Sequence, residues 1–317
     1  MTPSPEPAAV PLALGLDAGG TATRWCLVRA GGTVVAEGQV AGFSALELLG
    51  PGRERVADLL AELAGAVRAA GRPVRVHAGL TGYGGGEELR ELVARPLGLA
   101  PEAVGLSSDL ETLYLDLFDP GQGHVVYAGT GSVAVHIDAG GGVHRAGGRG
   151  VLIDDGGGGH WIAREALRQV WRAEDEHPGG WRTSALAREL FARLGGPEWS
   201  RTRQAVYSGG RGDLARLAQA VAATADADPA AAAILEAAGR ELARLARALM
   251  GRLGPLPVVA SGGAVLMSPR IPEAMARALP PDLPFSVRAC HGHHAAARLA
   301  LAAAEGRPAL PLHRIEP

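Results

Sequence analysis

The first residues suited to chemistry lie in a short glycine turn near the start of the sequence. An apolar run over residues 10–16 stops at Asp17 and resumes over residues 25–28, which predicts two strands joined by a turn. The turn between them contains Gly19, Gly20, Thr21 and Thr23. Glycines let backbone N–H groups approach an anion closely, and threonine hydroxyls add donors. The carboxylate of Asp17 would repel a bare phosphate, so a cation must lie between them, and the turn therefore indicates a Mg-nucleotide site. The alternative is a hairpin loop that binds no ligand.

Two further glycine turns follow predicted strands later in the chain. They span residues 129–132 and 261–264 and contain Thr130, Gly131, Ser132, Gly262 and Gly263. Ligands of open α/β sheets bind at the carboxyl ends of strands, so the first two turns are predicted to flank phosphates and the third to cover a purine. Small residues also simply form turns, and a chain with 46 glycines offers chance matches.

Alternating strands and helices must position these turns. After the first hairpin and a third strand, helical periodicity alternates with buried apolar runs, and the plan of the first half restarts after residue 119. The predicted helices cover residues 53–70, 87–97, 110–117, 161–172, 184–252 in several pieces, and 295–304; the further predicted strands cover 33–38, 74–80, 104–109, 123–128, 133–137 and 257–260. The pattern predicts two α/β domains, 1–118 and 119–317, with a cleft between them. The terminal helix, near 295–305, is a candidate to pack back on the first domain.

Composition excludes several classes of function. The chain has 317 residues, a net charge of −2, 47% hydrophobic and 20% charged residues, which is typical of a globular protein with real cores. Neither a basic patch for nucleic acid nor an uninterrupted apolar run of ~20 residues for a membrane occurs in it. Residues 1–11 lack the cationic region of a signal peptide, so we expect a cytoplasmic protein.

The basic residues and the cysteines narrow the chemistry further. All 31 basic residues are arginine, and neither lysine nor asparagine occurs, which excludes a Walker P-loop and a Schiff-base lysine. Cys26 and Cys290 are far apart and suit small buried roles in a reducing compartment. His291, His293 and His294 precede a helix, with Cys290 directly before them and no carboxylate nearby in the sequence. A capping or surface role is therefore favoured over a metal site.

The motifs together resemble a known superfamily. The turn at Asp17, the turn at residues 129–132 and the segment 261–264 are similar to the phosphate-1, phosphate-2 and adenosine motifs of the sugar kinase/Hsp70/actin superfamily. Within it, residues 148–162 resemble the G-W-G-x-x-x-G-D-E-G-S-G-x-W-I stretch of the BadF/BadG/BcrA/BcrD ATPase and N-acetylglucosamine kinase group. The resemblance covers nearly the whole chain. It implies two ribonuclease H-like (actin-like ATPase) domains with an interdomain nucleotide and substrate cleft.

The resemblance also implies roles for individual residues in an ATP-dependent sugar kinase. Asp17 would hold Mg²⁺, and Asp109 matches the carboxylate that serves as general base in the sugar kinases. ATP would contact Gly19, Gly20, Thr21, Thr23, Thr130, Gly131, Ser132, Gly262 and Gly263. Ser44, Thr130 and Asp155 would contact the sugar. Asp109 at the start of a helix is also suited to an N-cap, Glu111 is the second candidate for the base, and Asp155 is equally suited to an Asx turn.

The sequence departs from the family pattern mainly where the sugar is expected. The usual lysine of the first motif is Ala22, and the glutamate and serine after Asp155 are Gly156 and Gly158. The tryptophan of the glycine-rich stretch is Arg149, and the asparagines expected near Ser44 and after Ser132 are absent. The resemblance therefore implies MgATP as the phosphoryl donor and an amino sugar or related hexose as the acceptor. N-acetylglucosamine itself is less favoured than the family name suggests.

Two other functions fit the same resemblance. An ATPase activator of the 2-hydroxyacyl-CoA dehydratase type holds a [4Fe–4S] cluster between two subunits, and the positions of Cys26 and Cys290 disfavour it. A non-catalytic nucleotide- or sugar-binding regulator is compatible with the altered loop at Gly156–Gly158, but Asp17 and Asp109 are both present and argue against it. A homodimer is expected, because dimers are common in such families.

Overall fold

The computed structural model describes residues 11–308 and 311–315. The interpretation of residues 1–11 as lacking a signal peptide therefore lies outside the described residues, apart from Pro11. The strands are β1 (Leu12–Ala18), β2 (Ala22–Arg29), β3 (Val34–Ala41), β4 (Pro73–Leu80), β5 (Val104–Ser108), β6 (His124–Ala128), β7 (Ser132–Ile137), β8 (Gly142–Gly147), β9 (Val258–Ser261), β10 (Phe285–Val287) and β11 (His313–Arg314).

The helices alternate with these strands. They are α1 (Ala45–Leu48), α2 (Arg53–Ala70), α3 (Glu88–Leu97), α4 (Asp109–Leu117), α5 (Gly159–Glu176), α6 (Ala185–Leu194), α7 (Trp199–Ser208), α8 (Arg211–Ala215), α9 (Ala218–Thr224), α10 (Pro229–Leu253), α11 (Gly263–Leu266), α12 (Arg270–Ala278) and α13 (Gly292–Ala304). Within the described part of the chain, no helix combines the length and the apolar character that a bilayer span needs.

The chain forms two compact units. The first contains the described residues up to Asp116 together with those from His291 to Leu312, and the second contains Leu117–Cys290 with the described residues from His313 onward. The terminal helix α13 thus belongs to the first unit, where it packs against β1, β2 and β4.

The two sheets share one topology. The first has the order β3-β2-β1-β4-β5, and the second has β10-β9-β6-β7-β8-β11. In each unit an antiparallel three-stranded meander, β1–β3 or β6–β8, is extended on its first strand by two parallel strands, β4 and β5 or β9 and β10. The predicted α/β architecture, with a second half that restarts the plan of the first, is confirmed.

Both faces of the first sheet are buried. Successive side chains of a strand point to opposite sides, so alternating residues of β1 enter two different cores. Leu14 and Leu16 of β1 pack into one core with α2 and α3, whereas Ala13 lies in a smaller cluster with Cys26 and Ala297 of α13. A side chain at Gly15, between these residues, has no room, since a Cβ there would collide with the backbone of α13 at His293 and Ala297. The glycine therefore lets the helix lie directly on the strand.

The second unit has a largely helical core around α10. Its 25 residues begin at Pro229, and the Asp228 carboxylate accepts hydrogen bonds from Ala230 N at 3.0 Å, Leu186 N at 3.0 Å and Ser184 Oγ at 2.8 Å. One buried carboxylate thus caps α10 and fixes the start of α6 beside it. The apolar face of α10 packs against β6, β7 and α5.

Three short strands, β8, β10 and β11, were not predicted. The β8 sequence Gly142–Gly147 has a histidine and an arginine among glycines, so it lacks an apolar run, and β10 and β11 have only three and two residues. Three of the helices start earlier than predicted: α4 by one residue at Asp109, α5 at Gly159 and α13 at Gly292. In α5 and α13 the reason is that residues with weak helical propensity form the first turn.

Gly15→Ala tests the close packing of α13 on β1. We expect a loss of about 3 kcal/mol in the free energy of unfolding, because the new methyl group meets backbone on two sides. The matched control is Gly65→Ala on the exposed side of α2, where no described atom lies within 4 Å of the added carbon; there we expect a gain of about 0.5–1 kcal/mol. Urea unfolding measures both variants, and equal effects would contradict the packing described for α13.

Candidate functional site

Three parallel strands of the first sheet end side by side and carry polar residues at their ends. Asp17 lies near the end of β1 and pairs in register with Gly79 of β4, Thr81 directly follows β4, and Asp109 directly follows β5. The hydrogen bond from Thr81 N to Ala18 O, at 3.0 Å, continues the ladder beyond the end of β4. Parallel pairing therefore brings these side chains to one edge of the sheet, where ligands of open α/β sheets bind.

The Asp109 carboxylate is held by two hydrogen bonds. Its Oδ2 accepts from the Thr81 hydroxyl at 2.5 Å, and its Oδ1 accepts from Leu110 N at 3.0 Å. The N–H of the following residue thus fixes one oxygen at the start of α4, but a helix cap accepts from an N–H two or three residues further on, so this bond does not give Asp109 the capping role. Glu111, by contrast, turns back to Ser108 N at 3.1 Å, while the Ser108 hydroxyl accepts from Glu111 N. This reciprocal capping box gives Glu111 a structural role.

Asp17 is electrostatically unfavourable as an anion. Burial, together with the negative charges of Asp109 and Asp116, raises its pKa to about 7 against an opposing effect of Arg24. A divalent cation at this edge would favour the ionised form and offset the repulsion, so the site fits a metal ion. The first turn of α13 also lies close, since a Cβ on Gly292 would stand 3.0 Å from the Asp17 carboxyl carbon. Its positive helix end favours an anion there.

The hairpin tip is shorter than predicted. β1 ends at Ala18 and β2 begins at Ala22, so Gly19, Gly20 and Thr21 alone form the turn, closed by Gly19 N donating to Ala22 O at 3.1 Å. Gly20 and Thr21 are exposed, as a phosphate-binding turn requires. Thr23 lies inside β2, fully buried, and its hydroxyl finds no hydrogen-bond partner among the described residues. Its contact with a nucleotide stays a prediction that the burial does not favour.

Ser44 has a local structural role. It is the N-cap of α1: its Oγ accepts from Glu47 N at 3.2 Å, and its backbone N donates to Glu47 Oε2 at 3.0 Å, which completes a capping box. Arg55 fastens the segment by an ion pair with Glu47 at 2.5 Å and by hydrogen bonds to Gly42 O at 3.2 Å. Gly42 itself lies against the hairpin tip, since a Cβ there would stand 2.6 Å from the Thr21 carbonyl carbon. The segment at Ser44 is thereby tied to the first glycine turn.

In the second unit, the turn at residues 129–132 is fixed on the start of α5. Gly159 N donates to Gly129 O at 2.8 Å and His160 N to Thr130 O at 2.9 Å, so the first N–H groups of the helix hold the turn. The Ser132 hydroxyl donates to Gly156 O at 2.7 Å. Gly158 has no room for a side chain, because a Cβ there would lie 2.6 Å from the Gly131 carbonyl carbon. The serine expected at that position would collide with the turn.

Asp155 is the one non-glycine residue with a positive φ in the described structure, at 55°. Its side chain is 8% exposed, its Oδ1 accepts from Gly150 N at 3.1 Å, and burial raises its pKa against the effect of that bond. Its other carboxyl oxygen lies where a side chain of Gly131 would be, so Asp155 directly abuts the second glycine turn. A buried carboxylate in a strained backbone position is typical of functional loops.

The third turn lies at the same sheet edge as the second. β9 runs parallel to β6 with Ser261 paired to Tyr127, so the turns after Ala128 and after Ser261 are neighbours. Gly262 has a φ of 104° and packs on the Ala128 carbonyl, and Gly263 begins α11. The second unit thus brings together Thr130, Gly131, Ser132, Asp155, Gly262 and Gly263.

Thr81 lies at the polar edge of the first sheet, beside Asp109, and the sequence analysis did not identify it. It stands in the segment Thr81-Gly82-Tyr83, which has the composition of an ordinary turn after a strand. The available signal was a hydroxyl directly after a buried parallel strand, next to the strand that ends in Asp109.

Similarity to solved structures establishes the class of fold. The solved structure of a candidate N-acetylglucosamine kinase from Chromobacterium violaceum has 26% sequence identity and a TM-score of 0.72, covering 92% of this chain and 99% of that one. A candidate N-acetylglucosamine kinase from Porphyromonas gingivalis has 17% identity and a TM-score of 0.68, with 91% and 97% covered. Each unit therefore has the actin-like ATPase fold that the resemblance implied.

More distant structures share the fold alone. A ROK family glucokinase from Streptomyces griseus, solved with glucose and AMPPNP, has 16% identity and a TM-score of 0.57, and the match covers 91% of this chain and 98% of that one. No curated protein sequence matches the chain significantly.

The family follows from a match to a family model. The model of the BadF/BadG/BcrA/BcrD ATPase family matches residues 14–275, which includes all three glycine turns. The chain belongs to this family, as its motifs predicted.

The charge on Asp17 predicts a pH dependence of stability without metal. The folded pKa of about 7 exceeds the unfolded value of 3.8, so the folded state binds the proton more tightly. Stability is therefore lost as pH rises between these two values. From pH 5 to pH 8 we expect Asp17 to remove about 2–3 kcal/mol from the free energy of unfolding. Asp17→Asn abolishes this loss, so the stability of the variant relative to the wild type increases as the pH rises.

Urea unfolding at both pH values in the presence of a chelator measures the effect. Asp58→Asn, an exposed carboxylate on α2, is the matched control and should track the wild type at both values. If the difference in the free energy of unfolding between Asp17→Asn and the wild type is the same at both pH values, Asp17 is already ionised at pH 5 in the folded protein.

Proposed function

We propose that the chain is an ATP-dependent kinase that transfers the γ-phosphoryl group of MgATP to a hydroxyl of an amino sugar or related hexose. The observation that carries the proposal is the pair of carboxylates, Asp17 and Asp109, at the ends of β1 and β5, two parallel strands of one sheet with β4 between them. Phosphoryl transfer needs one group for the metal and one for the proton of the attacking hydroxyl. The family match and the likeness to the Chromobacterium violaceum protein support it.

The first unit would supply the chemistry. Asp17 would hold Mg²⁺, whose charge neutralises the phosphates, and the exposed N–H groups at Gly20 and Thr21 would contact phosphate oxygens. Asp109 would accept the proton of the sugar hydroxyl through the oxygen bonded to Thr81 or through its partner oxygen. The hydrogen bonds from Thr81 and Leu110 orient the carboxylate before substrate arrives.

The second unit would supply binding. Thr130, Gly131 and Ser132 would contact phosphates, and Gly262 and Gly263 would line the adenosine. Asp155, buried beside Gly131, would accept a hydrogen bond from a sugar hydroxyl, with Thr130 as a further sugar contact and Ser44 as one from the first unit. The homodimer and the cytoplasmic location also stay predictions.

The acceptor is addressed by a screen of sugar-dependent ATP hydrolysis. The first compounds to test are glucosamine, N-acetylglucosamine, glucose and muramic derivatives. Several sugars are needed because Gly156 and Gly158 differ from the family pattern, so the substrate of the relatives is not assumed for this chain. Hydrolysis that is independent of every sugar, or absent with all of them, would contradict the kinase.

An activator ATPase with an iron–sulfur cluster is disfavoured by the burial of Cys26. A cluster shared between subunits needs cysteine sulfur at the surface, and Cys26 is fully buried. Brown iron–sulfur absorbance in an anaerobic preparation would overturn this conclusion.

Asp109→Asn tests the base. We expect kcat for the best sugar to fall by about 10²–10⁴-fold, with the affinity for nucleotide retained, because the amide cannot accept the proton. Glu111→Gln tests the competing candidate, and we expect little loss of kcat there beyond the effect of a weakened capping box. Steady-state kinetics and nucleotide titration measure both. A larger loss in Glu111→Gln than in Asp109→Asn would reassign the base.

Thr81→Val tests whether the Thr81 hydroxyl positions Asp109. Removing a hydrogen bond to a charged group is worth about 1.5–3 kcal/mol, so we expect kcat to fall roughly 10- to 100-fold while KM for ATP stays unchanged. Thr81→Ser keeps the hydroxyl and should restore most of the activity. Equal losses in the two variants would mean that packing of the methyl group, not the hydrogen bond, matters.

A further inference from the structure

The structure brings a carboxylate and a cysteine from two distant strands to the histidines at the start of α13. His294, in the first turn of α13, has its Nε2 3.0 Å from Glu37 Oε2 of β3. Glu37 is paired in register with Cys26 of β2, so both side chains stand on the same face of the sheet. The ligand atoms of Cys26, Glu37 and His294 all lie within 4.8 Å of one another. Three separate elements thus converge on one point.

Packing of α13 on the sheet sets this convergence. Ala297 and Leu301 lie in a buried cluster with Cys26 and Val28 of β2. His294 lies three residues before Ala297 and seven before Leu301, which places it on the same face of the helix. The imidazole of His291 stacks on that of His294 at 5.3 Å between ring centroids and 21° between planes, and the ring of His293 lies at 4.3 Å. Neighbouring rings therefore restrict the orientation of the His294 side chain.

The donor set fits a borderline-soft divalent ion. Zinc binds thiolate, imidazole and carboxylate at about 2.0–2.3 Å, which puts ligand atoms of a tetrahedral site roughly 3.3–3.8 Å apart. The Glu37 and His294 atoms are already closer than this, and the other two pairs need to shorten by about 1.5 Å at most from the 4.8 Å limit. Cys26 is buried while the side chains of Glu37 and His294 are 58% and 33% exposed, which leaves an entry path and a fourth position for water.

A nucleophilic role for the same cysteine is disfavoured. Burial, and secondly the Glu37 carboxylate, raises the pKa of the Cys26 thiol to about 11, so the thiol carries no thiolate at neutral pH on its own. A bound dication reverses this balance, because a coordinating thiol is deprotonated.

We propose that Cys26, Glu37 and His294 bind one divalent transition-metal ion of the zinc class and thereby fasten the start of α13 to strands β2 and β3. The site is separate in chemistry from the oxygen-ligand site at Asp17, because a sulfur ligand selects zinc-like ions over Mg²⁺. The proposal does not rest on the proposed kinase activity.

Titration of the chelator-treated, tag-free protein with Co²⁺ tests the proposal, since cobalt reports a thiolate ligand by a charge-transfer band in the near ultraviolet. We expect one equivalent to bind with this band, Zn²⁺ to displace it, and a large excess of Mg²⁺ to leave it unchanged. Zn²⁺ at 100 times its Kd should raise the Tm by about 5 °C.

Three variants and one matched control assign the ligands. Cys26→Ser should abolish the band, and Glu37→Gln and His294→Gln should each weaken binding by about 100-fold. Glu37 is exposed, so its variant remains informative if Cys26→Ser folds poorly. Cys290→Ser removes the other cysteine and should keep the band. A missing band in the wild type, a band lost in Cys290→Ser, or unchanged affinity in both Glu37→Gln and His294→Gln would overturn the proposal.

Discussion

Parallel pairing of β1, β4 and β5 is the constraint on which the candidate site depends, because it forces two carboxylates to the same sheet edge. Asp17 and Asp109 repel each other there, and burial intensifies the repulsion instead of relieving it. The surrounding residues offset part of this charge: the Thr81 hydroxyl and Leu110 N donate hydrogen bonds to Asp109, and the start of α13 lies close to Asp17. The site therefore holds negative charge that the protein alone compensates only in part, and the proposed cation would complete the balance.

The same sheet topology in the second unit serves a different purpose. Its first hairpin also ends in a glycine turn, but the turn is locked to the start of α5 and to Asp155 instead of facing a second strand-end carboxylate. Between β8 and β9 the second unit has the six helices α5–α10, where the first unit has only α1 and α2 between β3 and β4. The same sheet topology thus places two carboxylates at one edge in the first unit and holds a glycine turn in a fixed position in the second.

Sequence reasoning succeeded where a local pattern determines the structure. The helix over residues 53–70 was predicted to the residue, since its apolar spacing and the glycine that ends it are both local signals. Asp109 was placed at its strand–helix junction for the same reason. Three features escaped prediction because they depend on pairing between distant segments: the polar edge strand β8, the Thr81–Asp109 hydrogen bond and the approach of His294 to Glu37 across 257 residues.

The position of α13 has a consequence for synthesis of the chain on the ribosome. The helix covers Ala13, Gly15 and Cys26 in the first sheet, yet 174 residues separate Asp116 from His291. At the usual elongation rate those residues take about 10–35 s to add. Throughout that interval the first unit exposes an uncovered apolar sheet face, because α13 is synthesised only after the whole segment Leu117–Cys290 of the second unit. The N-terminal half of the gene product therefore finishes folding last, and during translation this face is the one that chaperones are most apt to bind.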